Sequence, residues 1–334
     1  MTYNQKQLGT RIGIYLVRST VIIGNGIGQA LDSEYFSLSR GLECVWSSTD
    51  HLSMGHKSLI ISAITEATID APPSSEKQLD KLQLAIVAIE YLNSFTINDA
   101  SWVTEPAQEL PQAFKKFVHE VALHFHRSAH SLPDDFTDPL SDFIARTKSH
   151  IATLNYDNLL YDALLASGVL DGYSGSLIDG FQRSGFDEDN MDRFNTKRFG
   201  WYMHLHGSPL YIGNRKAMGI HRDFLDPDEN SHIVLTHVEH KKIIIESSPI
   251  LSTYWRRLDK AIRESKKIII FGYSGLDTHL NERVQSYKNE KELLVVEWSG
   301  EGTKDERIEY WKEVTHFDNL SLVQLDNILE FVDW

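Results

Sequence analysis

The feature that most limits the fold is a set of short strands that are apolar throughout and alternate with helical stretches. Residues 20–23 and 268–271 are Thr-Val-Ile-Ile and Ile-Ile-Ile-Phe, and neither run has a polar face. Such strands are typical of a parallel sheet that helices cover on both sides. Further strands are predicted at 150–154, 199–205, 293–297 and 320–325, with helices at 82–92, 159–167, 250–264, 277–287 and 305–314. The alternation predicts an α/β fold with a mostly parallel sheet.

The composition excludes several classes of protein. The chain has 334 residues, a formal net charge of −14 and one cysteine, Cys44. We expect no direct nucleic-acid binding, because a chain this acidic gains nothing from the release of counterions from DNA or RNA. One cysteine cannot form a disulfide framework or a four-thiolate zinc site. Residues 1–10 lack the apolar core of a signal peptide and no run is long enough to span a bilayer, so we expect a cytoplasmic protein without membrane contact.

We expect residues 1–334 to form a single domain with two additions. Residues from about 41 to 149 have mainly helical periodicity and predict a large helical insertion. This region contains an apolar stripe within residues 114–125, with Pro111 near the predicted start of its helix. Residues from about 171 to 198 are rich in glycine and aspartate, which predicts an extended loop or a lid.

Four polar clusters follow predicted strands, each at the strand's C-terminal end. They are residues 24–28, residues 155–157, residues 272–275 and Glu297. Ligands of open parallel sheets bind outside the C-terminal strand ends, near the point where the strand order reverses. The four clusters together therefore predict one ligand-binding cleft.

The first cluster, Gly-Asn-Gly-Ile-Gly at residues 24–28, has two interpretations. Missing side chains would let a pyrophosphate approach the backbone, and the start of a helix would offer amide donors. However, the third glycine comes one residue too early for the G-x-G-x-x-G pattern of dinucleotide-binding proteins. A tight structural turn is the alternative.

The side chains of Asn155, Asp157 and His206 are candidates for chemistry. Asn155 and Asp157 stand where a strand becomes a helix, so they could cap the helix or grip a polar ligand such as a carboxamide. His206 follows a predicted strand, where an imidazole can act as a base near neutral pH, although a buried structural histidine is the alternative.

A metal site is the less favoured interpretation of the histidines. His204 and His206 alternate along a strand, and His126 and His130 have the spacing of a zinc half-site. Neither pair is accompanied by a pattern of further ligands. We therefore expect no metal, and we expect His126 and His130 to lie on a solvated helix face.

In their order along the chain, these motifs resemble those of the sirtuin family. The resemblance rests on Gly-Asn-Gly-Ile at 24–27, Thr-Leu-Asn-Tyr-Asp at 153–157, His-Gly-Ser at 206–208, Gly-Tyr-Ser at 272–274 and the strand end at Glu297. Residues 153–157 are similar to the motif of a bacterial sirtuin-like branch. The resemblance implies a Rossmann-like, doubly wound sheet with NAD lying across the strand ends.

The same resemblance implies a role for each position. Asn155 and Asp157 match the residues beside the nicotinamide ribose and carboxamide, and His206 matches the catalytic histidine. The implied contacts to the rest of NAD are Gly24, Asn25, Gly26 and Ile27 at the pyrophosphate, Gly272 and Ser274 at the phosphate and ribose, and Glu297 or Trp298 near the adenosine.

Departures from the sirtuin pattern favour one activity. Asn25 replaces the usual alanine, and a single cysteine cannot build the sirtuin zinc module, so protein deacetylation is not expected. The helical insertion resembles that of bacterial NAD-hydrolysing effectors, many of which act in antiphage defence. The resemblance thus implies an NAD glycohydrolase, an enzyme with NAD as its substrate. Expected partners are further copies of the chain, a defence-system protein or a phage-derived activator. The alternative is a non-catalytic module that senses NAD or an ADP-ribose derivative and regulates a partner.

Overall fold

The computed structural model describes residues 17–64, 68, 72–94, 103–172, 174–192, 198–217, 225–227, 232–235 and 238–334. The expectation about a signal peptide concerns residues 1–10, which lie outside this part of the chain. Among the described helices, none has the length and apolar character needed to cross a membrane.

A seven-stranded sheet forms the centre of the fold. In chain order the strands are β1 (Ser19–Ile23), β2 (His150–Thr153), β3 (Leu177–Ile178), β4 (Phe181–Gln182), β5 (Gly185–Phe186), β6 (Gly200–His204), β7 (Tyr211–Ile212), β8 (Arg215–Lys216), β9 (Lys267–Phe271), β10 (Glu292–Trp298) and β11 (Leu320–Leu325). The sheet has the order β11-β10-β9-β1-β2-β6-β3, and each neighbouring pair is parallel. All of β1 is buried, and apart from Ser19 and Thr20 at its start it is apolar on both faces. The predicted α/β, Rossmann-like fold is confirmed.

Helices pack around this sheet, and six of the described helices lie between β1 and β2 in chain order. The described helices are α1 (Gly26–Leu31), α2 (Leu38–Ser48), α3 (Met54–Ala63), α4 (Glu76–Asn93), α5 (Glu105–His126), α6 (Asp134–Thr147), α7 (Leu159–Ala166), α8 (Val238–Ser247), α9 (Pro249–Glu264), α10 (Thr278–Gln285) and α11 (Lys304–Thr315). Within residues 41–149, α5 packs against α2, α3 and α4. It begins at Glu105 and carries Pro111 inside it, so the predicted start near Pro111 is wrong. Pro106 occupies the first turn, where a missing amide hydrogen is tolerated.

The strand order reverses at β1. After β1 the chain continues to β2 on one side, and it later returns to β9 on the other side before moving outward to β10 and β11. The connections that follow β1 and β9 therefore leave in opposite directions. In open α/β sheets this arrangement opens a crevice at the C-terminal strand ends.

Residues 171–198 are more structured than the extended loop or lid that we predicted. Their described part contains β3, which extends the main sheet, as well as the β4–β5 hairpin and a 3-10 helix at Glu188–Met191. A buried ion pair between Asp179 and Lys216 ties the segment to β8, and Lys216 also donates to the Tyr161 hydroxyl over 2.8 Å. Buried and paired charges of this kind anchor the segment to the body of the protein.

Candidate functional site

A cavity of about 1060 Å³ lies at the C-terminal ends of the strands. Ligand pockets in proteins span roughly 300 to 1,000 Å³, so this one lies just above the upper end of the range. The predicted site residues that line it are Gly24, Asn25, Gly26, Asn155, Asp157, His206, Gly272, Ser274 and Glu297. Ile27 does not line it, because its side chain is fully buried in the core. Five short segments scattered along the sequence therefore meet at one cavity.

The two glycine loops pack directly on each other. The Gly26 amide donates to the Gly272 carbonyl over 2.7 Å, and a Cβ added at Gly24 would lie 2.7 Å from the same oxygen. Gly272 also has a φ of +57°, in the left-handed region that favours glycine. Asn25 donates its side-chain amide to the Phe36 carbonyl over 2.8 Å. Close packing of the two loops thus explains why glycine is needed at these positions. The same packing places the backbone of both loops at the cavity.

Asn155 is held by the first glycine loop rather than by a helix. Its Nδ2 donates to the Gly24 carbonyl over 3.1 Å, whereas α7 begins four residues later, at Leu159. That contact fixes the orientation of the amide, because a carbonyl can accept only from the NH₂ side. The Oδ1 atom is buried without a hydrogen-bond partner. A buried acceptor in this state indicates a group that a ligand's donor would satisfy.

Asp157 is a buried carboxyl group that has neutral hydrogen-bond donors, and the nearby charge of Asp162 also raises its pKa. It is 6% exposed, and its Oδ1 accepts a hydrogen bond of 3.0 Å from the Leu159 amide. Burial raises the pKa of Asp157 from 3.8 to about 6, although that bond and the Asn155 side chain favour the charged form. The bond to Leu159 supports the capping interpretation, but it uses only one of the two carboxylate oxygens.

His206 belongs to a cluster that the sequence motifs did not predict. Its Nε2 lies 2.8 Å from Asp277 Oδ2, and the Lys241 ammonium donates to the same oxygen over 3.0 Å. Burial raises the pKa of Asp277, but the His206 bond and the Lys241 charge outweigh burial and hold it well below its ordinary value. Asp277 could have been found, because it is the first residue of the predicted helix at 277–287 and lies three residues after Gly-Tyr-Ser at 272–274. Lys241 stands in a Lys-Lys-Ile-Ile-Ile run without any motif.

At the other end of the cavity, the carboxylate of Glu297 already has hydrogen-bond partners within the protein. Both of its oxygens accept hydrogen bonds from Arg307, over 2.7 to 3.2 Å, and Trp311 donates to one of them over 2.8 Å. Its carboxylate could reach a ribose only by giving up these partners. Arg307, which sequence analysis missed, also lines the cavity, and Trp298 stands at the rim with 55% of its surface exposed.

The other histidines do not follow the expectation of a solvated helix face. His126 is 5% exposed, because α5 is surrounded by other helices and buries more than one face. His130 lies beyond the end of α5 and bonds to Ser128 over 2.9 Å. His204 is buried among tyrosines, and burial lowers its pKa to about 3. Within the described part of the chain, no group of three or more His, Cys, Asp or Glu side chains could hold a metal ion.

The parallel sheet, the crevice where its order reverses and the glycine loops define a nucleotide-binding α/β protein. The family model of the SIR2-like domain matches residues 149–316, half of the chain, and the chain belongs to this family. Membership implies an NAD-dependent activity. The matched half runs from β2 to α11 and includes Asn155, His206 and Glu297, while the first glycine loop precedes it. None of the curated proteins compared with the chain matches it.

Proposed function

We propose that the protein is an NAD glycohydrolase, which cleaves the bond between nicotinamide and ribose and releases nicotinamide and ADP-ribose. One observation carries the proposal. An amide, a carboxyl group and an imidazole, from Asn155, Asp157 and His206, line the same cavity as the two glycine loops. The loops suit a pyrophosphate, and the three side chains suit the nicotinamide ribose.

The residues present fit NAD by their chemistry as well as by the room available. The partnerless Oδ1 of Asn155 needs a donor, which a ribose hydroxyl or a carboxamide NH₂ supplies. At the far end of the cavity Arg307 lies in the lining, but its charge is paired with Glu297, so it supplies no uncompensated cation for an anionic ligand.

The reaction needs little acid catalysis. The glycosidic bond breaks with both electrons going to the nicotinamide nitrogen, which becomes neutral, so no proton has to be donated to the leaving group. Positive charge develops on the ribose, and the carboxylate of Asp157 would stabilise it. A water molecule then adds to the ribose carbon and loses a proton, which His206 would accept. Asn155 would hold the ribose in place.

The proposal extends to the role of this activity in the cell. Uncontrolled NAD cleavage in the cytoplasm would be lethal, so we propose that the activity is gated, by a defence-system partner, a phage-derived activator or self-association. The helical insertion before Asn155, which resembles that of bacterial NAD-hydrolysing effectors, supports antiphage defence as the purpose. This part is tested by measuring cellular NAD before and after phage challenge, in cells that carry the wild type or His206→Ala.

The activity itself is tested with purified full-length protein and NAD, by following free nicotinamide and ADP-ribose. His206→Ala and Asn155→Ala should each lower kcat by about 10²-fold or more, as expected for a base and a positioning group. His51→Ala and Asn93→Ala are matched controls, since neither residue lines the cavity. Both controls should keep wild-type kcat.

Three results would contradict this proposal, and each points elsewhere. If NAD binds but stays intact, the alternative of a sensing module is favoured. If the ADP-ribose label becomes attached to protein, the activity is a transfer rather than a hydrolysis. If nicotinamide is released and His206→Ala keeps full activity, the assignment of the site is wrong.

A further inference from the structure

The cluster of His206, Asp277 and Lys241 gives Asp277 a role beyond capping a helix. We infer that Asp277 is a positioning residue that holds the His206 ring with its proton on Nε2, so that Nδ1 carries the lone pair. The structural part of the inference stands on the cluster alone. Its consequence for catalysis rests on the proposed function, in which His206 accepts a proton.

The distance between His206 and Asp277 determines where the proton lies. A carboxylate oxygen and a ring nitrogen 2.8 Å apart need a hydrogen between them, because two lone pairs would repel. The carboxylate of Asp277 is ionised, so the hydrogen belongs to Nε2. A neutral imidazole with a proton on Nε2 has its lone pair on Nδ1, and Nδ1 is then the atom that can accept a proton from a substrate.

Asp277 is fixed from three directions, which makes it a rigid support. Its Oδ1 accepts the Leu280 amide over 3.2 Å at the start of α10, and its Oδ2 faces both His206 and Lys241. The three elements involved are α10, the end of β6 and α8. Asp277 is 8% exposed, so solvent screens these contacts little.

Lys241 stabilises the carboxylate but does not set the tautomer. Its ammonium lies 3.5 Å from His206 Nε2, longer than the 3.0 Å to Asp277 Oδ2. A real bond from Lys241 to Nε2 would require Nε2 to be an acceptor, and the 2.8 Å contact with Asp277 would then be repulsive. Lys241 therefore adds a counter-charge to the buried carboxylate, whose largest stabilising contact is the hydrogen bond with His206 itself.

A spectroscopic experiment tests the tautomer without any enzyme assay. Full-length protein carrying ¹⁵N in its histidine rings is examined by NMR spectra that correlate ring protons with both nitrogens, and His206→Gln identifies the His206 signals. Wild type should show a protonated Nε2 and an unprotonated Nδ1. Asp277→Asn should lose this pattern, because an amide can turn its NH₂ toward Nε2 and force the proton to Nδ1.

Two further variants keep the experiment decisive. Asp277→Ser removes the carboxylate and retains a favourable N-cap, so it covers the case in which Asp277→Asn does not fold. Lys241→Met disturbs the same cluster but leaves the bond between Asp277 and His206, so its His206 tautomer should match wild type. A wild-type tautomer in both Asp277 variants, or a lost one in Lys241→Met, overturns the inference.

Kinetics with NAD add the catalytic consequence. Asp277→Asn should lower kcat by about 10² to 10⁴-fold, as in other enzymes whose histidine loses its orienting carboxylate, with KM changed less than about threefold. A changed tautomer with wild-type kcat would refute the positioning role. If wild type itself releases no nicotinamide, the proposed function fails, while the NMR result still decides whether Asp277 fixes His206.

Discussion

Asp157→Asn should stabilise this protein at neutral pH, although it removes a residue that we place in the catalytic site. Asp157 is 6% exposed, and burial raises its pKa from an ordinary 3.8 to about 6. Above pH 6 the folded protein holds an ionised carboxylate that water would solvate better. Asparagine has nearly the same shape and is never charged, and its Oδ1 can still accept the Leu159 amide.

The magnitude follows from the difference between the two pKa values. They differ by about 2, and each unit is worth about 1.4 kcal/mol, so ionisation lowers the free energy of unfolding by about 3 kcal/mol. Well below pH 4 the carboxyl is protonated in both the folded and the unfolded state, and nothing is lost. Between pH 4 and 6 only the unfolded state releases its proton, so rising pH favours unfolding. The advantage of Asp157→Asn should therefore grow from below 1 kcal/mol at pH 4 to about 3 kcal/mol above pH 7.

Denaturant unfolding followed by tryptophan fluorescence, from pH 4.5 to 8, measures this difference. Buried histidines act in the opposite direction: burial lowers the pKa of His204 to about 3 and that of His150 to about 4, so both favour unfolding as the pH falls. These contributions are common to wild type and variant. The difference between the two curves therefore isolates Asp157.

Asp171→Asn is the matched control, because it removes the same charge at an exposed position. Because Asp171 is exposed, this variant should differ from wild type by less than about 0.5 kcal/mol. Two results would contradict the reasoning: a stability difference between Asp157→Asn and wild type that is the same at every pH, or a variant less stable than wild type at pH 8. Either would show that burial of the ionised carboxylate does not destabilise the folded protein.

Two further substitutions test how the ends of the cavity are built. Gly24→Ala places a methyl group 2.7 Å from the Gly272 carbonyl oxygen, so we expect a loss of about 1 to 3 kcal/mol in thermal or denaturant unfolding and a raised KM for NAD. Glu297→Ala leaves the half-buried Arg307 without its partner and should cost about 3 kcal/mol, whereas Glu301→Ala at the exposed rim should change stability by less than about 0.5 kcal/mol.

The strands and most helices could be predicted from the sequence because their patterns are local. The strand Lys267–Phe271 is buried and apolar from its second residue on, and its prediction differed from the structure by one residue. The start of α5 was missed because a proline can occupy a helix interior as well as a first turn, and Pro106 offered a second choice. The burial of His126 depends on the neighbours of α5, which no local pattern contains.

The site was predictable only where its residues follow strands. Asn155, Asp157 and His206 each stand at or just beyond a C-terminal strand end, so the topology of a parallel sheet brings them together. Lys241 lies on a helix, 36 residues from its partner Asp277, and no spacing rule connects the two. For Glu297 the position at the cavity was right, but its bonds to Arg307 depend on the packing of α11 against the sheet.

Asp157 and Asp277 are the same residue type in the same cavity, yet their surroundings move their pKa values in opposite directions. Asp157 has only neutral donors, and burial raises its pKa. Asp277 has an imidazole and an ammonium beside it, and they outweigh burial. In enzymes, two carboxyl groups whose surroundings move their pKa values apart take different roles. Asp277 stays ionised at every working pH, which suits an acceptor that orients His206. Asp157 holds an uncompensated charge near neutral pH, which suits a site where positive charge appears only during the reaction.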